Sequence, residues 1–319
     1  MQRRMRYAGT LAGVLAGDAL GAPYETWSSE KIQADFAVRG GLVPFDYEDP
    51  WGKDGHFPAC RPTDDSELTA ALAMSLCFTN GESSDLYQRF RSVVIDKKSV
   101  LCALPAYGFG RTTRDALAAA TYEEARKQVP ARPPIPSNGS LMRTAPVALR
   151  YHGNFGALVD AARRASVITH THPLAVECTI LCTVILDRML GGDDIRRAVI
   201  NARARLKKQL AEIELLDYLD EHLFDEPGEP DKQHRGGALI TLKVALWAAA
   251  QAKDFRDGIT KAVGIGGDTD TYGAVAGGLL GARFGIDGIP YEWTKKMSGQ
   301  GYEVMISLAS RLWHMSQPV

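Results

Sequence analysis

Residues 264–285 read GIGGDTDTYGAVAGGLLGARFG. From Tyr272 to Ala282 no residue is charged, and glycine, alanine and leucine dominate. That is the composition of a buried helix. Gly273, Gly277, Gly281 and Gly285 recur every four residues, so they stack along one helix face. Near the N-terminus Gly9, Gly13, Gly17 and Gly21 keep the same spacing. A glycine inside a helix costs about 0.5–1 kcal/mol relative to alanine, so two such series need a return. Rows of side chains four apart are also the ridges that interdigitate in the commonest helix crossing. The spacing therefore predicts two glycine-faced helices that are core neighbours, in direct contact in the tightest case. For Gly9, Gly21 and Gly285 a turn position explains the residue equally well.

Helical periodicity dominates outside this stretch. It predicts helices over 66–78, 114–128, 139–152, 155–169, 174–190, 193–223, 236–253 and 302–315. Strand-like alternation is scarce. Loops are expected at 40–62, at the proline-rich 129–138 and at 225–235. Similar helices continue on both sides of 129–138, so that segment reads as a surface loop. The expected fold class is all-α, with one compact domain over 1–319.

Lys and Arg number 37 against 38 Asp and Glu, and 45% of residues are hydrophobic. The apolar share supports a large core. The balanced charge argues against a nucleic-acid footprint, and the basic run 196–208 reads as the solvated face of a helix. The five cysteines are scattered, odd in number and form no CxxC pair, which fits reduced thiols in the cytosol. The N-terminal MQRRMRYAGTLAGVLAGDALG superficially resembles a signal peptide, but Asp18 and frequent glycine interrupt it. Lys243 breaks the best membrane candidate, GALITLKVALWAAA. A cytoplasmic protein with no membrane partner is expected.

Two acidic clusters carry the chemistry. PTDDSE holds Thr63, Asp64 and Asp65; GGDTDT holds Asp268, Asp270 and Thr271. Each offers only hard oxygen donors, and each leads into a helix. Either one alone reads as a helix N-cap, because Asp and Thr cap well and carboxylates suit the positive end of a helix dipole. A cap, however, needs one oxygen acceptor and does not explain paired aspartates twice. Four converging carboxylates would repel unless cations neutralised them. Magnesium takes such oxygen ligands at roughly 2.0–2.1 Å.

Three smaller motifs have two readings each. In SNGSLMR, Asn138, Gly139 and Ser140 precede a helix, where free backbone N–H groups suit a phosphate; a plain loop and cap is the alternative. In YGFG, Phe109 lies between two glycines and either contacts a substrate or joins the core. In THTHP, His170 and His172 are two apart, a spacing that suits neither one helix face nor a zinc motif.

Taken in order, GVLAGDALGAPYE (13–25), PTDDSELTAALA (62–73), YGFGRTTRDAL (107–117), SNGSLMRTAPVAL (137–149), SVITHTHPLAVEC (166–178) and GIGGDTDTYGAVAGGLLGA (264–282) resemble the ADP-ribosylglycohydrolase family. The relatives meant are those of the dinitrogenase-reductase-activating glycohydrolase and ADP-ribosylarginine hydrolase type. The resemblance implies an all-α, orthogonal multi-helix domain holding two Mg2+ ions, with Mn2+ as the substitute. It assigns Thr63, Asp64, Asp65, Asp268, Asp270 and Thr271 to the metals. It assigns catalysis to Glu25, Asp65 and Asp268, with Glu25 acting in catalysis or gating. It places Phe109, Asn138, Gly139, Ser140, His170 and Tyr272 at the substrate. Tyr272 departs from the Asn often found there, and Tyr107 stands where a basic residue is frequent.

The activity so implied is removal of ADP-ribose from a protein side chain, arginine first and serine next. The partner would be an ADP-ribosylated protein. Two alternatives stand beside it: hydrolysis of a nucleotide- or nucleic-acid-linked ADP-ribose, and an immunity or binding protein that blocks an ADP-ribosyltransferase toxin by occlusion.

Overall fold

Sixteen α-helices follow one another among the residues that the computed structural model describes, 2–48, 55–128 and 135–317. In order they are α1 Gln2–Gly21, α2 Ser29–Arg39, α3 Asp64–Thr79, α4 Ser83–Val94, α5 Arg111–Ala116, α6 Tyr122–Lys127, α7 Ala145–Arg150 and α8 Phe155–Val167. They continue as α9 Pro173–Leu190, α10 Ile195–Leu206, α11 Ile213–Glu221, α12 Ala238–Gln251, α13 Phe255–Gly264, α14 Thr269–Phe284, α15 Tyr291–Met297 and α16 Tyr302–Met315. A two-residue antiparallel pair, β1 Tyr47–Glu48 with β2 His56–Phe57, is the sheet content of the described residues. The all-α expectation is met. Within the expected loops, 49–54 and 129–134 lie outside the described residues.

The two glycine series face each other. α1 and α14 run antiparallel, with Gly9 against Gly281, Gly13 against Gly277, Gly17 against Gly273 and Gly21 against Thr269. A Cβ added at Gly13, Gly17, Gly273, Gly277 or Gly281 would meet a facing carbonyl oxygen well inside 3.0 Å, closer than real Cβ atoms come. The backbones therefore touch, as the spacing predicts. Each glycine turns an Hα toward a carbonyl oxygen, and such Cα–H···O contacts contribute about 0.5–1 kcal/mol apiece, which offsets the helix cost of glycine. Gly9 and Gly21 are helical; Gly285 takes the turn position, with φ +72° just beyond α14. Thr269 Oγ1 donates to the Gly21 carbonyl at 2.8 Å and ties the two ends together.

The remaining helices pack around this pair. α13 and α12 lie against α14, and α16 against α1. α9, buried along most of its length, joins α8, α10 and α12, while α3 packs on α4, α7 and α16.

Several boundaries depart from the periodicity. The 114–128 segment is two short helices, because Thr121 and Glu124 form a reciprocal capping box that starts α6 afresh. The 139–152 segment is helical only from Ala145 to Arg150, with Pro146 in its first turn. The 193–223 segment breaks between Leu206 and Ile213, where the Glu177 carboxylate of α9 accepts from the Ala211 and Glu212 amides at 3.0 Å.

Candidate active site

The antiparallel pairing of α1 and α14 has a chemical consequence at one end. It sets the last turn of α1 beside the first turn of α14, and so sets Asp18 beside Asp270. α3 begins at the same place: Thr63 is its N-cap, and Asp64 and Asp65 form its first turn. Both α3 and α14 thus aim positive dipole ends at one cluster of carboxylates.

Asp18 joins the pieces and is fully buried. It accepts from Thr63 Oγ1 at 2.7 Å, from the Thr63 amide at 3.1 and 3.2 Å, and from the Ser66 amide at 3.1 Å. Thr63 Oγ1 in turn accepts from the Asp65 amide at 3.3 Å. Capping and clustering therefore coexist at α3. At α14 the Asp268 side chain makes no capping bond; it accepts instead from Asn138 Nδ2 at 2.8 Å, and Asn138 also donates to Thr241 Oγ1 at 2.9 Å.

Carboxylate oxygens of Asp18, Asp65 and Asp270 lie within 4.8 Å of one another, and so do those of Glu25, Asp268 and Asp270. Asp270 belongs to both triads. Burial is the main cause that raises these acids. It lifts Asp18 to about 6, even against the Thr63 and Ser66 hydrogen bonds. It lifts Asp64 to about 8, helped by Asp18 and Asp268, and Glu25 to about 8, helped by Asp268 and Asp64 and opposed by Arg235. Asp65 and Asp270 are pushed well above the carboxylate range for the same reasons. Asp65 Oδ1 is buried without a hydrogen-bond partner. Two triads of hard oxygens sharing a member, with an unpartnered oxygen among them, fit divalent cations of the magnesium type.

Above the carboxylates opens a cleft of about 600 Å³. Glu25, Asp64, Asp65, Asp268, Asp270 and Thr271 form its acidic floor; Asn138, Gly139 and His170 form a wall. Arg111, Lys232 and Arg235 add positive charge to its lining. Gly108, at φ +97°, brings its backbone so close that a Cβ there would meet Asp64 Oδ1 at 2.6 Å. Glu25 is held from behind: the Thr26 amide donates to the Gly267 carbonyl at 2.7 Å, and the Gly267 amide donates to the Trp27 carbonyl at 3.0 Å.

Four residues expected here do not line the cleft. Thr63 stays beneath the floor, bonded to Asp18. Ser140 is buried and shares a 2.9 Å hydrogen bond with Thr179 Oγ1. Tyr272 is buried too, and its hydroxyl donates to the Arg235 carbonyl at 2.5 Å, bracing the 225–235 loop. Phe109 packs against the hydrophobic core, while its neighbours Gly108 and Gly110 line the cleft. Ser140, in the turn before α7, and Tyr272, in the first turn of α14, both point inward, which motif order alone does not reveal. His172 caps α9 through Nδ1, accepting from the Leu174 amide at 3.2 Å.

Sequence reasoning missed Asp18 as a site residue, reading it only as an interruption. A lone aspartate between Gly17 and Gly21 on an otherwise apolar helix face was the available signal, since a buried carboxylate demands partners. Arg143 and Thr169 were missed as well, and neither carries a spacing signal. The scattered cysteines are all free thiols. No helix of the described residues is long and apolar enough to cross a membrane.

Comparison with known proteins agrees with this geometry. The sequence profile of the ADP-ribosylglycohydrolase family matches residues 1–319. The chain is 27% identical to the ADP-ribosylarginine hydrolase Tri1 of Pseudomonas putida over 92% of its own length and 74% of that protein's. It is 26% identical to the ADP-ribosyl-[dinitrogen reductase] glycohydrolase of Rhodospirillum rubrum, covering 92% of this chain and 90% of that one. A solved structure of an ADP-ribosylglycohydrolase-related protein complex superposes with a TM-score of 0.78 at 30% identity, over 99% of both chains. With profile, relatives and fold in agreement over nearly all its residues, the chain belongs to the ADP-ribosylglycohydrolase family.

Proposed function

We propose that this protein is a metal-dependent hydrolase that releases ADP-ribose from a modified protein side chain, with arginine as the preferred acceptor. One observation carries the reading: two carboxylate triads share Asp270, and all their members but the buried Asp18 line a cleft of about 600 Å³. The names of the Pseudomonas and Rhodospirillum relatives support the substrate class, and the first supports arginine.

Asp18, Asp65 and Asp270 would hold one divalent cation, and Glu25, Asp268 and Asp270 a second, with Asp64, Thr63 and Thr271 adjacent. When bound, Mg2+ or Mn2+ would neutralise the carboxylates, bind ribose hydroxyls and make a nearby water more acidic. The chain's own residues do the rest. The rigid α1–α14 contact fixes Asp18 and Asp270 relative to each other, so little reorganisation precedes reaction. Asn138 orients Asp268 through its Nδ2 donation. The acidic floor and the Arg111, Lys232 and Arg235 lining orient a ligand that has a hydroxyl-rich end and an anionic end. Hydrolysis breaks the bond from the anomeric carbon to the side-chain nitrogen, forms a bond to water oxygen, and passes a proton to the leaving nitrogen. Glu25, which with Asp268 is one of the two cleft acids that are not fully buried, is placed to carry that proton. The positive charge developing on the ribose faces the carboxylates, as oxocarbenium-like cleavage requires.

The test is turnover of peptides carrying ADP-ribose on arginine, on serine and on nucleotide, each with and without EDTA, with the released linkage read by mass spectrometry. Asp268→Asn should abolish metal-dependent release while circular dichroism stays unchanged. Wild-type turnover by that variant at saturating magnesium overturns the reading. Protection against an ADP-ribosyltransferase that survives both Asp64→Ala and Asp268→Ala would replace it with occlusion.

A further inference from the structure

Arg143 is a buried cation, 1% exposed, with no carboxylate within salt-bridge reach among the described residues. Its guanidinium lies 4.2 Å from the Phe90 ring centroid, and Nε and Nη1 have no hydrogen-bond partner. The Asp64 carboxylate favours the charge from beyond contact distance, but burying a cation without a contact pair is costly and calls for a use. Its one side-chain partner is Thr169: Nη2 donates to Thr169 Oγ1 at 2.7 Å, and also to the Ala165 carbonyl at 3.2 Å. Thr169 Oγ1 lies 2.7 Å from His170 Nδ1.

One order of protons gives the Thr169 hydroxyl hydrogen an acceptor. Arginine only donates, so Thr169 accepts from it. The threonine hydroxyl owns one proton, and the histidine ring is its sole remaining partner. Thr169 therefore donates to Nδ1, and the neutral ring carries its proton on Nε2. His170, 2% exposed, lines the cleft, and its Nε2 edge lies over Gly139, where a Cβ would approach Nε2 to 2.8 Å. Nε2 has no protein partner among the described residues. Burial first, and then the Arg143 charge, pushes the ring down to about 3 and keeps it neutral.

We propose that Arg143 is a positioning residue which, through Thr169, locks His170 in the Nε2–H tautomer so that the ring presents one fixed donor to an acceptor oxygen of the cleft ligand. The identity of that ligand rests on the hydrolase reading above; the tautomer does not. The device selects a polar acceptor at that wall of the cleft and refuses a donor, so it acts on ligand binding rather than on bond cleavage.

Imidazole long-range 1H–15N correlation spectra of the ligand-free protein test the tautomer directly. Wild type should show Nε2 protonated and Nδ1 bare at pH 7, and Thr169→Ser should keep that pattern. Thr169→Val, close in shape, should give mixed tautomers. With an ADP-ribosylated substrate, Thr169→Val should raise KM about five- to tenfold and change kcat by less than about twofold, as loss of one oriented hydrogen bond predicts. His170→Gln, whose amide can stand in for Nε2–H, should retain more affinity than His170→Asn. A wild-type Nδ1–H or doubly protonated ring overturns the proposal. So does a Thr169→Val protein with an unchanged tautomer. Correct tautomers in a protein that turns over no ADP-ribosylated substrate would leave the relay standing and defeat the hydrolase reading alone.

Discussion

Thr63 and Asp18, 45 residues apart in sequence, make three hydrogen bonds to each other: one through the threonine hydroxyl and two through its amide. This is the joint between the glycine-faced α1 and the acidic first turn of α3. It converts a packing interface into a rigid base for the clustered carboxylates.

Asp18→Asn removes one charge from a cluster of six acids, but it also sets an amide donor where a buried oxygen accepts from Thr63 or the Ser66 amide. Donor facing donor at a buried joint is costly, so the EDTA-treated variant should melt at a lower temperature than wild type. The same change weakens cation binding. Turnover at limiting magnesium should fall about 10–100-fold, the usual scale when a group supporting a metal site is altered. Differential scanning fluorimetry with a magnesium titration measures both. A variant with an unchanged metal-free Tm and full activity contradicts the placement of Asp18.

Gly13→Ala and Gly277→Ala each drive a methyl group into backbone that cannot move aside. Each should cost about 3 kcal/mol or more in urea unfolding, the upper range for overpacking. Gly156→Ala is the matched control. It lies exposed in the first turn of α8 with nothing within 4 Å, and should gain up to about 0.5 kcal/mol. Equal effects at the three positions would exclude backbone contact between α1 and α14.

Stability should depend on pH in a direction set by the raised acids. Asp64 moves from 3.8 to about 8 and Glu25 from 4.5 to about 8. A carboxyl that binds its proton more tightly when folded stabilises the fold while protonated. That contribution is whole below about pH 4 and disappears as pH climbs through about 8. In EDTA the Tm should therefore drop by several degrees between pH 6 and pH 9. Saturating magnesium, which replaces protons with cations, should remove most of that drop. A Tm that rises over this interval in EDTA would show that these groups are not raised.

The sequence disclosed the two acidic turns because their chemistry is local: each is a helix start with more carboxylates than a cap needs. It disclosed the α1–α14 contact because a four-residue glycine repeat has a direct steric meaning. It did not disclose the break between α10 and α11, since the carboxylate that stops the chain there, Glu177, lies more than 30 residues away. α2 escaped periodicity because only Ile32 and Phe36 are buried, although Ser28 caps its start and Gly40 its end. Arg143 was silent for another reason. Its partners, Phe90, Ala165 and Thr169, come from distant segments, and nothing in its own neighbourhood marks it as buried.

The evenly spaced stripe carries an ambiguity. Sliding α1 past α14 by one repeat would mate glycine with glycine again. It would also carry Asp18 about 6 Å along the axis, out of reach of Asp270. Smooth contact alone therefore admits more than one alignment. The Thr269–Gly21 bond and any ion gripped by both Asp18 and Asp270 distinguish them. The cation would then serve as an assembly check before it serves catalysis, rewarding only the alignment that can later do the chemistry.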